Sequence, residues 1–182
     1  MQDLRLTPTS YIVLGLIELA GEATPYALKQ AVRETVGHFW TLQHAQLYSE
    51  PTRLAEGGYL TERQEEKGRR RKRYSLTDKG RRSLEEWRRT PAEQLYEFRD
   101  PGLLKLFFGA DPTELAKSQL ELHRRQLAAY EGMKSLDKGD EPRGPWLALE
   151  SGIGHQREYI RFWERLAKQA PGRGRRPRSS RA

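Results

Sequence analysis

The chain of 182 residues contains no cysteine, so disulfides, thiolate nucleophiles and cysteine-based zinc sites are excluded outright. Its four histidines, His38, His44, His123 and His155, have none of the paired spacing that zinc needs. There is no glycine-rich phosphate loop and no His-Glu-x-x-His, and a Ser-His-acid set can be assembled only by arbitrary choice. No metal or other cofactor is expected, and the reading is not an enzyme. Long apolar runs are missing as well: the best candidate, Tyr11–Ala20, is interrupted by Glu18. Met1–Leu6 lacks the h-region and cleavage site of a signal peptide. A cytoplasmic protein without membrane contact is the expectation. Hydrophobic content is only 36% against 32% charge, as in helical proteins with much exposed surface. The length still allows one or two small domains with a real core.

Positive charge is present but uneven. Five arginines lie in the last eleven residues, and without them the formal charge falls from +8 to +3. The informative feature is local: Arg69, Arg70, Arg71, Lys72 and Arg73 are consecutive. Five like charges repel one another, and a phosphate backbone would favour keeping them together; the plainer alternative is a solubilising turn. The Gly/Arg/Pro/Ser-rich segment 170–182 reads as a disordered basic tail, either adding non-specific DNA affinity or ending the chain with no role.

Thr7-Pro8 and Thr24-Pro25 are helix-start pairs, since Thr caps free N–H groups and Pro at the first helical position loses nothing. The first helix carries Ile12, Val13, Leu16, Ile17 and Ala20 and stops at Gly21; the second carries Leu28, Ala31, Val32 and Val36 and stops at Gly37. Phe39 and Trp40 form a bulky turn. A third helix is predicted from a Thr41 cap to Gly57-Gly58. Leu47, Tyr48, Pro51, Leu54 and Ala55 share its inward face, and Gln43, Gln46, Ser49 and Arg53 the opposite one. Pro51 should kink this helix without stopping it. Tyr59–Arg63 and Arg71–Leu76 then pair as a hairpin turning near Lys67-Gly68, and Thr77 caps a fourth helix with Leu84 and Trp87.

Pro91–Asp100 reads as a linker. Beyond it lie an apolar cluster, Leu103–Phe108, and two long helices separated by a polar loop over Lys134–Pro145. Ala116, Leu120, His123, Leu127 and Tyr130 follow a 4-3-4-3 spacing, and Leu149, Ile153, Gln156, Ile160, Trp163 and Ala167 repeat it. Such spacing marks a coiled-coil-like seam. One hairpin would struggle to bury all its apolar surface, so dimerisation is expected, through Leu120, His123, Leu127, Leu149, Ile153, Ile160 and Trp163. Phe107, Phe108, Tyr130, Trp146 and Trp163 are either effector-pocket lining or plain core.

The expected fold is mainly α with a small β-wing: a winged helix-turn-helix over 1–90, and an antiparallel helical hairpin over 91–169 forming a coiled-coil-like dimer. A polar helix followed by a basic hairpin is how this module meets double-stranded DNA. Thr41, Gln43, His44, Gln46, Ser49 and Arg53 are assigned to DNA through the helix, where Gln reads adenine and Thr or Ser reaches bases or phosphates. Lys67, Arg69, Arg70, Arg71 and Arg73 are assigned to it through the wing. Tyr48 has two readings, packing by its ring and a phosphate contact by its hydroxyl.

The segments Phe39-Trp40, Gln46–Leu54 and Gly68–Gly80, with Tyr-Ser-Leu-Thr-x-x-Gly at 74–80 and Gln-Leu-Tyr at 46–48, resemble the winged helix of the PadR family of bacterial transcriptional regulators. Arg99–Phe108 resembles the start of that family's helical C-terminal domain, and the likeness covers roughly 4–169. It implies a homodimeric regulator, usually a repressor, on an inverted-repeat operator. It also implies release by a small, often aromatic or phenolic, molecule. Pro51 departs from the aliphatic residue many members carry. The rival reading is a winged helix acting through protein contacts or on any polyanion.

Overall fold

Threonine caps start three of the four helices in the first half of the chain. In the computed structural model, which describes residues 4–66, 70–93, 95, 97 and 99–168, the Thr7 hydroxyl accepts from Ser10 N and Ser10 Oγ accepts from Thr7 N, a reciprocal capping box. Thr24 accepts from Ala27 N, and Thr77 from Gly80 N. The chain divides into two compact units, Met1–Leu95 and Tyr96–Ala182.

The first unit runs α1 (Pro8–Ala20), β1 (Glu22–Ala23), α2 (Pro25–Glu34), a short 3-10 turn (Val36–His38), α3 (Gln46–Glu56), β2 (Leu60–Gln64), β3 (Lys72–Leu76) and α4 (Asp78–Arg89). Its sheet is antiparallel with order β1-β3-β2; Ala23 faces Tyr74, and the hairpin register runs from Leu60 opposite Leu76 to Gln64 opposite Lys72. The hairpin was expected from sequence; the two-residue β1 was not. The proposed turn at Lys67-Gly68 lies outside the described residues. Val13, Leu14 and Ile17 of α1, Leu28 of α2, Leu47 and Leu54 of α3, and Tyr59, Leu60, Tyr74 and Leu84 make one core. The hairpin base thus docks on the helices while its far end projects.

The expected Thr41 cap of α3 is not formed. Residues 41–45 precede the helix, which starts at Gln46 after an uncapped Ala45. Gln46 N donates to the Gln43 carbonyl and Leu47 N to that of His44, so a turn rather than a side chain supplies the first acceptors. The helix continues through Pro51, which is buried inside it.

The second unit holds α5 (Pro101–Phe107), α6 (Pro112–Lys134) and α7 (Gly144–Ala167). Asp100 caps α5 through Gly102 N and Leu103 N, and Asp111 caps α6 through Glu114 N. Helices α6 and α7 pack along their length. Ala116, Tyr130, Ile153 and Trp163 are buried between them, and Gly152 lets the Tyr130 ring come so close that a Cβ would meet its Cε2 at 3.0 Å. His123 Nδ1 donates to Gln156 Oε1 at 2.6 Å, and Arg124–Glu164, Arg157–Glu131 and Lys134–Glu150 lace the rims.

That packing corrects part of the interface expectation. The 4-3-4-3 stripes meet each other within one chain, so Ile153 and fully buried Trp163 face the sister helix and not solvent, and His123 is engaged there too. Leu120, Leu127, Leu149 and Ile160 are half-buried. The large apolar side chains of this unit left outside, among the described residues, are Leu104, Phe107, Phe108, Leu122, Leu136 and Leu147.

Candidate nucleic-acid interface

The surface at the start of α3 is polar and open. Thr41, Gln43, His44, Gln46, Tyr48 and Ser49 are all exposed. Thr41, Gln43 and His44 sit on the loop that enters α3, and Gln46, Tyr48 and Ser49 on its first turn. The inward stripe is Leu47, Glu50, Pro51 and Leu54. Tyr48 is therefore not part of it: the ring is half exposed, against the expectation that it packs inward. Ser49 Oγ turns back to the Ala45 carbonyl at 3.3 Å. A groove of about 340 Å³ runs between α2 and the entry loop, lined among others by Lys29, Arg33, Trp40, His44 and Leu47.

Arg53 does not join this surface. Its guanidinium turns to α1, giving Nε to Glu50 Oε2 at 2.8 Å, Nη2 to Glu50 Oε1 at 2.5 Å and to Ser10 Oγ at 3.0 Å, and Nη1 to the Arg5 carbonyl at 3.2 Å. Glu50 is the residue that sequence reasoning missed. It is a carboxylate with 8% exposure in a helix stripe of apolar residues. Burial alone would raise its pKa, but the hydrogen bonds from Arg53 and Ser10 outweigh burial and hold it below the usual carboxylate range. The one available signal was the Glu-x-x-Arg spacing, which puts both side chains on one helix face.

The wing is basic but internally compensated. Arg73 pairs with Glu65 at 2.9 Å and Glu22 at 3.0 Å, Arg71 with Glu65 at 3.2 Å, and Lys72 with Glu62 at 2.8 Å. Hydrogen bonds from Arg73 and Arg71 lower the pKa of Glu65, and one from Lys72 lowers that of Glu62. Tyr74 donates its hydroxyl to Glu62 at 2.9 Å and accepts from Thr52 at 3.0 Å, joining the wing to α3. Arg70 forms no ion pair with a described residue and stands at φ 48°, turning the backbone into β3. Lys67 and Arg69 lie outside the described residues, as does the 170–182 tail.

The effector candidates are not gathered around one space. Tyr130 and Trp163 are buried between α6 and α7, Trp146 is half-buried, and Phe107 is exposed, edge-on to Phe108. None of them lines the groove beside α2. The Trp163 Nε1–H is buried without an acceptor among the described residues. Among the described residues, no group of His, Asp and Glu could hold a metal and no helix is long and apolar enough to cross a membrane.

Helices α1–α4, a basic hairpin wing and an open polar start to α3 define a winged-helix fold of the DNA-binding type. Residues 13–86 match the family model described as transcriptional regulator PadR-like family, and residues 98–170 the one described as virulence activator alpha C-term. The negative transcriptional regulator PadR of Bacillus subtilis (strain 168) is 28% identical over 173 residues, which is 86% of this chain and 93% of that protein. Bacillus subtilis PadR solved in complex with operator DNA superposes with a TM-score of 0.77 at 26% identity, covering 87% of this chain and 96% of that one. The same protein solved with p-coumaric acid gives a TM-score of 0.72 at 24% identity, over 87% and 95%. Residues 13–86 thus carry a domain of the PadR-like transcriptional regulator family, and the likeness to PadR extends over 86% of the chain.

Proposed function

We propose that this regulator is a cytoplasmic repressor that binds an inverted-repeat operator as a homodimer and is released by a small aromatic effector. The observation that carries the DNA reading is one surface: the exposed side chains Thr41, Gln43, His44, Gln46, Tyr48 and Ser49 at the start of α3, next to a wing whose Arg70 is unpaired among the described residues. Gln46 and Ser49 enter the major groove, with Gln43, His44 and Thr41 on its edge and Tyr48 offering its hydroxyl to a phosphate. Arg70, with Lys67 and Arg69, holds the backbone; Arg71 and Arg73 contribute only by exchanging Glu65 and Glu22 for phosphate. Repression and an aromatic ligand are supported by the Bacillus subtilis relative, a negative regulator solved with p-coumaric acid.

The second copy is supported by the apolar surface that the hairpin leaves open, with Phe107 and Phe108 among the most exposed side chains. Leu120, Leu127, Leu149 and Ile160 supply its half-buried edge. Trp163, whose indole N–H has no acceptor among the described residues, is the effector donor best supported; Tyr130, which packs on Gly152, and Trp146 and Phe107 are separate candidates.

The test is affinity for the DNA upstream of its own gene against random duplex at physiological salt. A ratio above about 10³ supports a specific regulator, and a ratio near one supports the rival reading, a module for any polyanion. Adding phenolic acids to the operator complex then tests release.

A further inference from the structure

We infer that Ser10, Glu50 and Arg53 form a clamp that sets how the DNA-reading helix α3 sits on α1, and that Arg53 acts through this clamp and not as a phosphate contact. The inference rests on the DNA reading above and names positioning residues for it.

The clamp is saturated. Ser10, fully buried on α1, donates to Glu50 Oε1 at 2.6 Å and accepts from Arg53 Nη2 at 3.0 Å and from Thr7 N at 2.8 Å. Glu50 takes the two-pronged fork of Arg53 on both carboxylate oxygens. The remaining arm of Arg53 reaches the Arg5 carbonyl. Residues 5, 10 and 50–53 are thereby joined by directional bonds.

Apolar contacts through Leu47 and Leu54 hold α3 against the core but are non-directional and tolerate small rotations. A charged network in an apolar interface is weak evidence for stability, since well-packed hydrophobic residues often serve as well. What it supplies is a single orientation. The place where it acts is significant: Pro51, next to Glu50, cannot donate to the Leu47 carbonyl, so α3 lacks one of its own rungs there. The reading side chains Gln46 and Ser49 stand one turn before the clamp on the same flank of the helix, Gln46 four residues before Glu50 and Ser49 four before Arg53. A rotation of α3 would carry them off the base edges while leaving the wing on its phosphates.

The test uses the full-length protein and three variants, Glu50→Gln, Arg53→Lys and the double Glu50→Met/Arg53→Met, which removes both charges of the pair together so that Glu50 is not left buried without its partner. Operator and random-duplex affinities are measured across a salt series, with circular dichroism as the fold control. The clamp predicts that Arg53→Lys and the double variant lose about tenfold or more in the operator-to-random ratio, with non-specific affinity and its salt slope unchanged. A slope flattened by about one unit in the double variant, with Arg53→Lys like wild type, makes Arg53 a phosphate contact and overturns the inference. An unchanged ratio in folded variants also overturns it. Amide exchange in the free protein keeps the two readings apart: faster exchange confined to α3 in the variants supports the clamp even if wild type shows no operator preference, a result that would sink only the DNA reading. Unaltered exchange in α3 counts against the clamp.

Discussion

Arg73 on β3 lies between Glu65, 2.9 Å from its Nε, and Glu22 of the two-residue strand β1, 3.0 Å from its Nη1. The most basic stretch of the chain is thus tied back by carboxylates from its own sheet. Non-specific attraction to any polyanion is weakened, and a phosphate must displace a formed ion pair to engage Arg73 or Arg71.

Glu65→Gln should therefore strengthen binding. It releases Arg71 and Arg73 from the carboxylate they share. Affinity for random duplex should rise, and the log–log salt slope should steepen by roughly one to two units, at about 0.9 per phosphate contact. Arg70→Ala should do the reverse and flatten it by about one. Fluorescence anisotropy over a sodium chloride series measures both. A Glu65→Gln slope equal to that of wild type would mean that the paired arginines never reach DNA.

Gln46→Ala should act on specificity. Gln46 is exposed at the first position of α3, and its amide is of the type that pairs bidentately with adenine. The operator complex should weaken by about 1–3 kcal/mol while random-duplex binding and its salt slope stay put. Equal losses on both DNAs would argue against base reading by this residue.

The parts legible in the sequence are those governed by local rules. Thr7, Thr24, Thr77 and Asp111 cap their helices because capping needs only a side-chain oxygen and the next turn's N–H groups. The α6–α7 seam was equally plain from its spacing, but periodicity does not say whose helix fills the stripe, and here the same chain does. Thr41 shows the limit: it has the chemistry of a cap, yet a backbone turn at Gln43–Gln46 starts α3 instead. Arg53 was assigned to DNA and Glu50 to nothing because their decisive partner, Ser10, lies about forty residues away on another helix. The wing's charge was overestimated for the same reason: Glu22 pairs across a strand too short to leave a pattern.

Gly80→Ala should destabilise the winged-helix unit. A Cβ on Gly80 would stand 2.2 Å from the Tyr59 carbonyl oxygen, a backbone atom that cannot yield cheaply. That carbonyl also accepts from Thr77 N at 3.1 Å and Thr77 Oγ1 at 3.0 Å, so moving it loosens the junction between β2 and the cap of α4. A cost of about 2–4 kcal/mol is expected, visible as a lower thermal midpoint by circular dichroism. A midpoint unchanged from wild type would show that the helix start relaxes without strain.

The loop between α6 and α7 should carry an acid-sensitive contact of its own. Asp137 accepts from Arg143 Nη1 at 2.6 Å and Nη2 at 2.9 Å and from Gly139 N at 2.9 Å. The Arg143 hydrogen bonds first, and that of Gly139 second, lower its pKa from 3.8 to about 2. A carboxyl depressed in the folded state binds fewer protons there than in the unfolded chain, so its stabilisation is fully present above the unfolded value. It fades as pH falls through the interval between the two and is gone below about 2. Thermal unfolding followed from pH 5 to pH 2 should show Asp137→Asn less stable than wild type at the upper end, with the two curves converging at the lower. Parallel curves throughout would mean that the Asp137–Arg143 pair contributes nothing that depends on its charge.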